Sequence, residues 1–122
     1  YIVNAFKMPG YDKRDIQLIS IISFLHREKK IKTDDILSRL TPSELLLVKK
    51  LVAILKIADS LDASHMQIIN DFILSISDTL IKVTAICREI PYIEEKVFNR
   101  KNRDFLEIFG VPIIFEAKLN YE

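Results

Sequence analysis

Thr41-Pro-Ser-Glu44 opens the segment that most constrains this chain. The Thr41 hydroxyl can accept from the N–H of Glu44 while the Glu44 carboxylate accepts from the N–H of Thr41, and Pro42 suits the first helical position. Behind this start come Leu45, Leu46, Leu47, Val48, Leu51, Val52, Ala53, Ile54, Leu55, Ile57 and Ala58, interrupted by Lys49, Lys50 and Lys56. On a helix these apolar residues fall on nearly every face. Such a helix has to be wrapped by other elements, so it is expected at the centre of a core, running to about residue 63. With 49% hydrophobic residues in a chain of 122, there is material for one domain with a real interior.

The flanking elements follow from turn and cap signals. Pro9-Gly10 reads as a turn, Asp12 as an N-cap, and Asp15 as an acid suited to a first helical turn. Ile16, Leu18, Ile19, Ile21, Ile22, Phe24 and Leu25 then predict a helix that closes at the cation-rich His26-Arg-Glu-Lys-Lys30. A short helix is expected over residues 34–40. Beyond the central helix, residues 72–77 and 80–86 are rich in β-branched types and partly alternate, with Ser77-Asp-Thr79 as the turn of a hairpin. Pro91 can open a further helix from Tyr92 to Phe109, with Ile93, Val97, Phe105, Leu106 and Phe109 inward. Glu94, Glu95, Asp104 and Glu107 are expected to pair with Arg100, Lys101 and Arg103 on its surface. Gly110 fits a C-cap and residues 113–119 a third strand. Helices first and a small sheet after them predict an α+β class. The expected architecture is a mainly helical core, then a small, mostly antiparallel three-stranded sheet with one packed helix, all in one domain over residues 1–122. The opening Tyr1-Ile-Val reads as the tail of a helix, hence as the start of a fragment of a longer protein.

Asp59 and Asp62 stand three apart at the end of the apolar helix, on one face. A carboxylate buried without a partner costs several kcal/mol. The two acids therefore reach solvent, meet a cation or a basic partner, or cap a neighbouring turn. His65 lies three beyond Asp62 and could share that face, but no His-Glu-x-x-His and no paired cysteine motif is present, so no metal ligand set is expected. The run His26, Arg27, Lys29, Lys30 and Lys32 is either a solvated helix end or an edge for polyanions, which guanidinium and ammonium groups bind by charge-assisted hydrogen bonds. Cys87 has no adjacent base and reads as a buried structural thiol. With only Gly10 and Gly110 there is no glycine-rich phosphate loop and no Gly-x-Ser-x-Gly elbow, so no catalytic residue is assigned. The formal net charge of +1 gives no electrostatic case for nucleic acid. There is no signal peptide and no uninterrupted apolar run of membrane-spanning length. With one cysteine, this points to a reducing, cytoplasmic setting.

Four segments carry a resemblance. Ala58-Asp-Ser-Leu-Asp-Ala-Ser64 resembles the Ala-Asp-x-Leu-Asp-x-Ser segment of the Ppx/GppA family, the exopolyphosphatases and guanosine pentaphosphate phosphohydrolases. Tyr1-Ile-Val-Asn-Ala-Phe-Lys-Met-Pro-Gly-Tyr11 resembles the family's Leu-Ile-x-Asn segment and Pro-Gly turn. Phe24-Leu-His-Arg27 resembles its aromatic-x-His-Arg segment, and Phe105-Leu-Glu-Ile-Phe-Gly-Val-Pro112 its closing Phe-x-x-x-Phe-Gly-x-Pro segment. They occur in the family's order and span Tyr1 to Pro112.

The resemblance implies the C-terminal, HD-like accessory domain of such a phosphohydrolase, without the N-terminal actin-like catalytic domain, nothing of which is matched here. In HD phosphohydrolases a metal-binding Asp falls on the long helix, where Asp59 stands. The accompanying His and His-Asp pair would lie before Tyr1, and the family often lacks the full set. Implied partners are the catalytic domain, polyphosphate or guanosine pentaphosphate reached through His26, Arg27, Lys29, Lys30 and Lys32, and a second copy in a homodimer. Membrane and nucleic acid are not implied. Mg²⁺ would serve the parent catalytic domain, and no cofactor is expected in this fragment, which alone should be inactive. Two other readings stay open: an HD-type metal-dependent phosphohydrolase or a degenerate relative, and a purely structural dimerisation module.

Overall fold

The computed structural model describes residues 12–26 and 38–120. The chain divides into two compact units, Tyr1–Val52 and Ala53–Glu122. The class is α+β, with three helices and a three-stranded sheet among the described residues. The expected opening segment up to Tyr11 lies outside the described residues. So does most of the expected short helix; residues 38–40 of it form a turn.

In the first unit, helix α1 (Lys13–Leu25) begins at a reciprocal cap. The Asp15 N–H donates to Asp12 Oδ1 at 2.8 Å, and the Asp12 N–H donates to Asp15 Oδ2 at 3.4 Å. Ile22 and Leu25 are its buried residues. Helix α2 (Pro42–Ser60) starts at the predicted box: Glu44 N–H to Thr41 Oγ1 at 3.2 Å, Thr41 N–H to Glu44 Oε1 at 3.0 Å. Arg14 then grips the same carboxylate with two hydrogen bonds, Nε to Oε2 at 2.8 Å and Nη2 to Oε1 at 2.7 Å. This fork holds the Glu44 carboxyl down to about 2, first through the Arg14 hydrogen bonds and then through the Thr41 N–H. Helix α2 is not buried all round. Val48, Val52, Ala53, Lys56, Ile57 and Ser60 are interior, whereas Leu46, Leu47, Leu51 and Ile54 are exposed.

In the second unit, strand β1 (Ile69–Ile76) and strand β2 (Ile81–Cys87) form the predicted hairpin, antiparallel, with Leu74 opposite Val83. Ser77 closes the turn, its N–H donating to the Leu80 carbonyl at 2.9 Å and its hydroxyl accepting from the Leu80 N–H at 3.1 Å. Helix α3 (Tyr92–Phe109) then carries the chain back about 27 Å at 1.5 Å per residue. The return delivers strand β3 (Ile113–Leu119) parallel to β2, so the sheet is mixed, with order β1-β2-β3. Gly110, at φ 73°, ends α3 in the left-handed conformation that glycine adopts without a Cβ clash, its N–H bonding to the Leu106 carbonyl.

The core of this unit gathers Ala53 and Ile57 of α2, Val83 of β2, Phe98 and Phe105 of α3, and Ile113 of β3. Phe98 lies against Phe115 with ring centroids 5.3 Å apart. The inward face of α3 differs from the expected one. Glu94, Phe98 and Phe105 are buried, while Ile93 and Leu106 are exposed. Spacings of four and seven between those buried residues define the true stripe, and the expected set omitted Phe98 from it.

Candidate functional site

The Ala58-to-Ser64 segment ends α2 and enters a turn. The Leu61, Asp62 and Ala63 N–H groups bond back to the carbonyls of Ala58, Asp59 and Ser60 at 3.2, 3.3 and 3.3 Å, a three-residue spacing that tightens the helix end after Ser60. Asp59 is exposed on the last turn of the helix, and Asp62 is half-buried in the turn that follows. Asp62 works as a cap: Oδ1 accepts from the Gln67 N–H at 3.1 Å, while Oδ2 lies 4.0 Å from Nδ1 of the exposed His65.

The loop beyond is held in an unfavourable backbone shape. His65 and Gln67 have φ of 59° and 48°, the left-handed region that residues with a Cβ seldom adopt. Three anchors hold it. Glu94 Oε2 accepts from the Ser64 N–H at 2.7 Å. The Arg88 guanidinium donates to the Met66 carbonyl, and the Arg88 N–H donates to the Ile68 carbonyl at 3.0 Å. The Gln67 side-chain amide donates to the His65 carbonyl at 3.1 Å.

Glu94 corrects an expectation. It was expected to pair with neighbouring cations on the α3 surface, yet it is 1% exposed and reaches the loop instead. It occupies the first turn of α3, where unsatisfied N–H groups favour a carboxylate. Its Oε1 is buried with no hydrogen-bond partner among the described residues. Asp104 also turns away from the expected pairing on its own helix: it takes Lys56 Nζ at 3.1 Å, and Lys56 is itself buried. Cys87 is fully buried at the end of β2, its thiol pushed up first by burial, with the nearby Glu94 charge adding to the rise.

Of the expected polyanion run, His26 is described: it caps the C-terminus of α1, half-buried, its N–H bonding to the Ile22 carbonyl at 3.1 Å. Arg27, Lys29, Lys30 and Lys32 lie outside the described residues. A second basic stripe appears on α3. Lys96, Arg100 and Arg103, spaced by four and three, are all exposed on one face and make no ion pair among the described residues. Like charges at that spacing repel, a cost that a polyanion would offset. Among the described residues, no group of three or more His, Cys, Asp or Glu side chains is placed to hold a metal ion, and no helix is long and apolar enough to cross a membrane.

These groups offer a hydrogen-bonded loop in which the exposed His65 stands beside the half-buried Asp62, and a separate row of exposed cations. No protein-family model and no curated protein matches the chain.

Proposed function

We propose that this chain is the C-terminal, HD-like accessory domain of a Ppx/GppA-type phosphohydrolase, working in the cytoplasm beside an actin-like catalytic domain. In this reading the parent removes terminal phosphate from polyphosphate or guanosine pentaphosphate with Mg²⁺ held by the catalytic part. The accessory domain adds cations along the path of the phosphate chain, and surface for dimerisation. The observation that carries it is the order of four resembling segments from Tyr1 to Pro112. The exposed stripe of Lys96, Arg100 and Arg103 supports a polyanion surface, and the run from His26 to Lys32 is assigned to the same role.

Titration with short and long polyphosphate at two salt concentrations tests the reading. Wild-type protein should bind the long chain weakly, and less at higher salt, because exposed charges are screened over about 8 Å at physiological ionic strength. Arg27→Ala with Lys30→Ala should weaken binding to the long chain more than to pyrophosphate. In the parent enzyme the same pair should raise KM for long substrates and leave kcat nearly unchanged, the mark of lost uniform binding. Equal affinity of wild type and the double variant for the long chain would remove this run from the binding surface.

A further inference from the structure

The two edges of the sheet are built differently. Strand β3 carries Glu116 and Lys118, and Glu116 pairs with Lys82 of β2. Strand β1, eight residues long, has Asp71 as its single charge and neither lysine nor proline, the residues that commonly guard an edge. Its Phe72, Ile73, Leu74 and Ile76 are between 49% and 71% exposed. An edge of that composition is a template for another strand.

Hydrogen-bond phase says which groups it offers. The Ile81 N–H donates to the Pro112 carbonyl and the Cys87 carbonyl accepts from the Asn120 N–H, so the odd residues of β2 turn toward β3. Its even residues turn toward β1, where Lys82, Thr84 and Ile86 face Ser75, Ile73 and Asp71. The backbone groups of Phe72, Leu74 and Ile76 therefore point away from the sheet. In the protomer the outward Phe72 N–H donates to the carboxylate of Asp71 at 2.8 Å, a bond that has to be exchanged for one to the neighbouring strand when this edge pairs.

We infer that β1 pairs antiparallel with β1 of a second copy of this chain, about a two-fold axis that passes midway between the two Leu74 residues, joining the two sheets into one. Only pairings that set an even residue opposite an even residue bring the outward groups together, and this register uses all three: Leu74 against Leu74, Phe72 against Ile76, and Ile76 against Phe72. An axis perpendicular to the sheet keeps those side chains on one face, so six apolar residues become contiguous. The same register sets Asp71 opposite Ser77 of the other copy, which sends the two acids to opposite ends of the pairing and avoids a like-charge contact. This names the surface for the dimerisation part of the proposed function and rests on that part alone.

Sedimentation of the 122-residue chain over a range of concentrations should show a reversible monomer–dimer equilibrium. Leu74→Lys places two ammonium groups across the axis and should raise the dimer dissociation constant at least about tenfold. Its circular dichroism should match wild type, since Leu74 is exposed in the protomer. Under mild oxidant Leu74→Cys should cross-link to a covalent dimer, whereas Ile76→Cys, far from its own copy in this register, should not. A monomer at every concentration, a dimer unmoved by Leu74→Lys, or cross-linking at position 76 in place of 74 would each overturn the inference. If Leu74→Lys does not fold, the cysteine pair decides the register by itself. Polyphosphate titration of Leu74→Lys separates the two readings: phosphate binding kept while the dimer is lost leaves the polyanion surface standing, and loss of phosphate binding in wild type does not touch the sedimentation result.

Discussion

Removing the Glu94 carboxylate should loosen a loop thirty residues away in sequence. Glu94→Ala deletes a charge-assisted hydrogen bond of 2.7 Å to the Ser64 N–H, worth about 1.5–3 kcal/mol, and opens a gap beside the fully buried Phe98 and Cys87 of the same unit. An offset works against this, because Glu94 Oε1 is buried without a hydrogen bond and its removal relieves that cost. The net expectation is a loss of about 2 kcal/mol, a sizeable share of the roughly 5–15 kcal/mol that stabilises a domain. The loss should be local as well as global. His65 and Gln67 each hold a left-handed conformation that costs on the order of 1–3 kcal/mol and persists only while the surroundings fix it. Urea unfolding followed by far-ultraviolet circular dichroism measures the first effect; the chain has no tryptophan to report by fluorescence. Amide hydrogen exchange at Ser64 measures the second, and its protection should fall in Glu94→Ala. Glu94→Gln should be milder, because an amide oxygen can still accept from Ser64. A loss below about 0.5 kcal/mol with unchanged protection at Ser64 would refute the anchoring role.

Three further outcomes are expected. Phe98→Ala removes a fully buried ring that meets Phe115 and should cost about 3–5 kcal/mol in the same unfolding assay. The depressed Glu44 carboxyl contributes stability that is complete above its ordinary value of 4.5 and is lost as pH falls through about 2, so a carbon-detected titration of Glu44 should show a midpoint near the lower value, and Arg14→Ala should move it up. Cys87 should resist thiol reagents in the native protein and react fully once urea has unfolded it, since both burial and the neighbouring Glu94 oppose the thiolate.

Elements were legible where a local rule decides. The capping box at Thr41 and Glu44, the hairpin around Ser77, and the helix from Tyr92 to the Gly110 cap all stand where short-range chemistry puts them. Partners across long sequence separations were not legible. Glu94 looks like a surface acid among cations until Ser64 is seen above it, and the signal that could have found it is its place four before Phe98 on the phenylalanine stripe. Helix α2 likewise looks interior on all sides, because composition counts apolar residues without counting the neighbours available to cover them. Leu46, Leu47, Leu51 and Ile54 of this helix are exposed. In the Ala58–Ser64 segment the sequence offered solvent, cation binding or capping for the two acids. Asp62 takes the capping role toward Gln67.

The parallel pairing of β3 explains both the burial of Cys87 and the exposure of β1. A single crossover helix has to return along the strand it leaves, so α3 packs over β3 and joins Val83 and Ile113 in the core. One helix is about 10 Å wide, and strands are spaced by about 4.8 Å, so it covers roughly two strands. The third strand, added by the hairpin on the far side of β2, falls beyond that cover, and no β1 residue belongs to the core cluster. A polar strand there would need nothing more. Strand β1 instead puts Phe72, Leu74 and Ile76 on the face that α3 shelters for its neighbours, at the margin where shelter ends. A second sheet edge would add to that margin without displacing any packed residue. In the proposed pairing, stabilisation should therefore fall on Phe72, Leu74 and Ile76 of both copies, while Ile73 and Ser75, on the opposite face, should tolerate substitution.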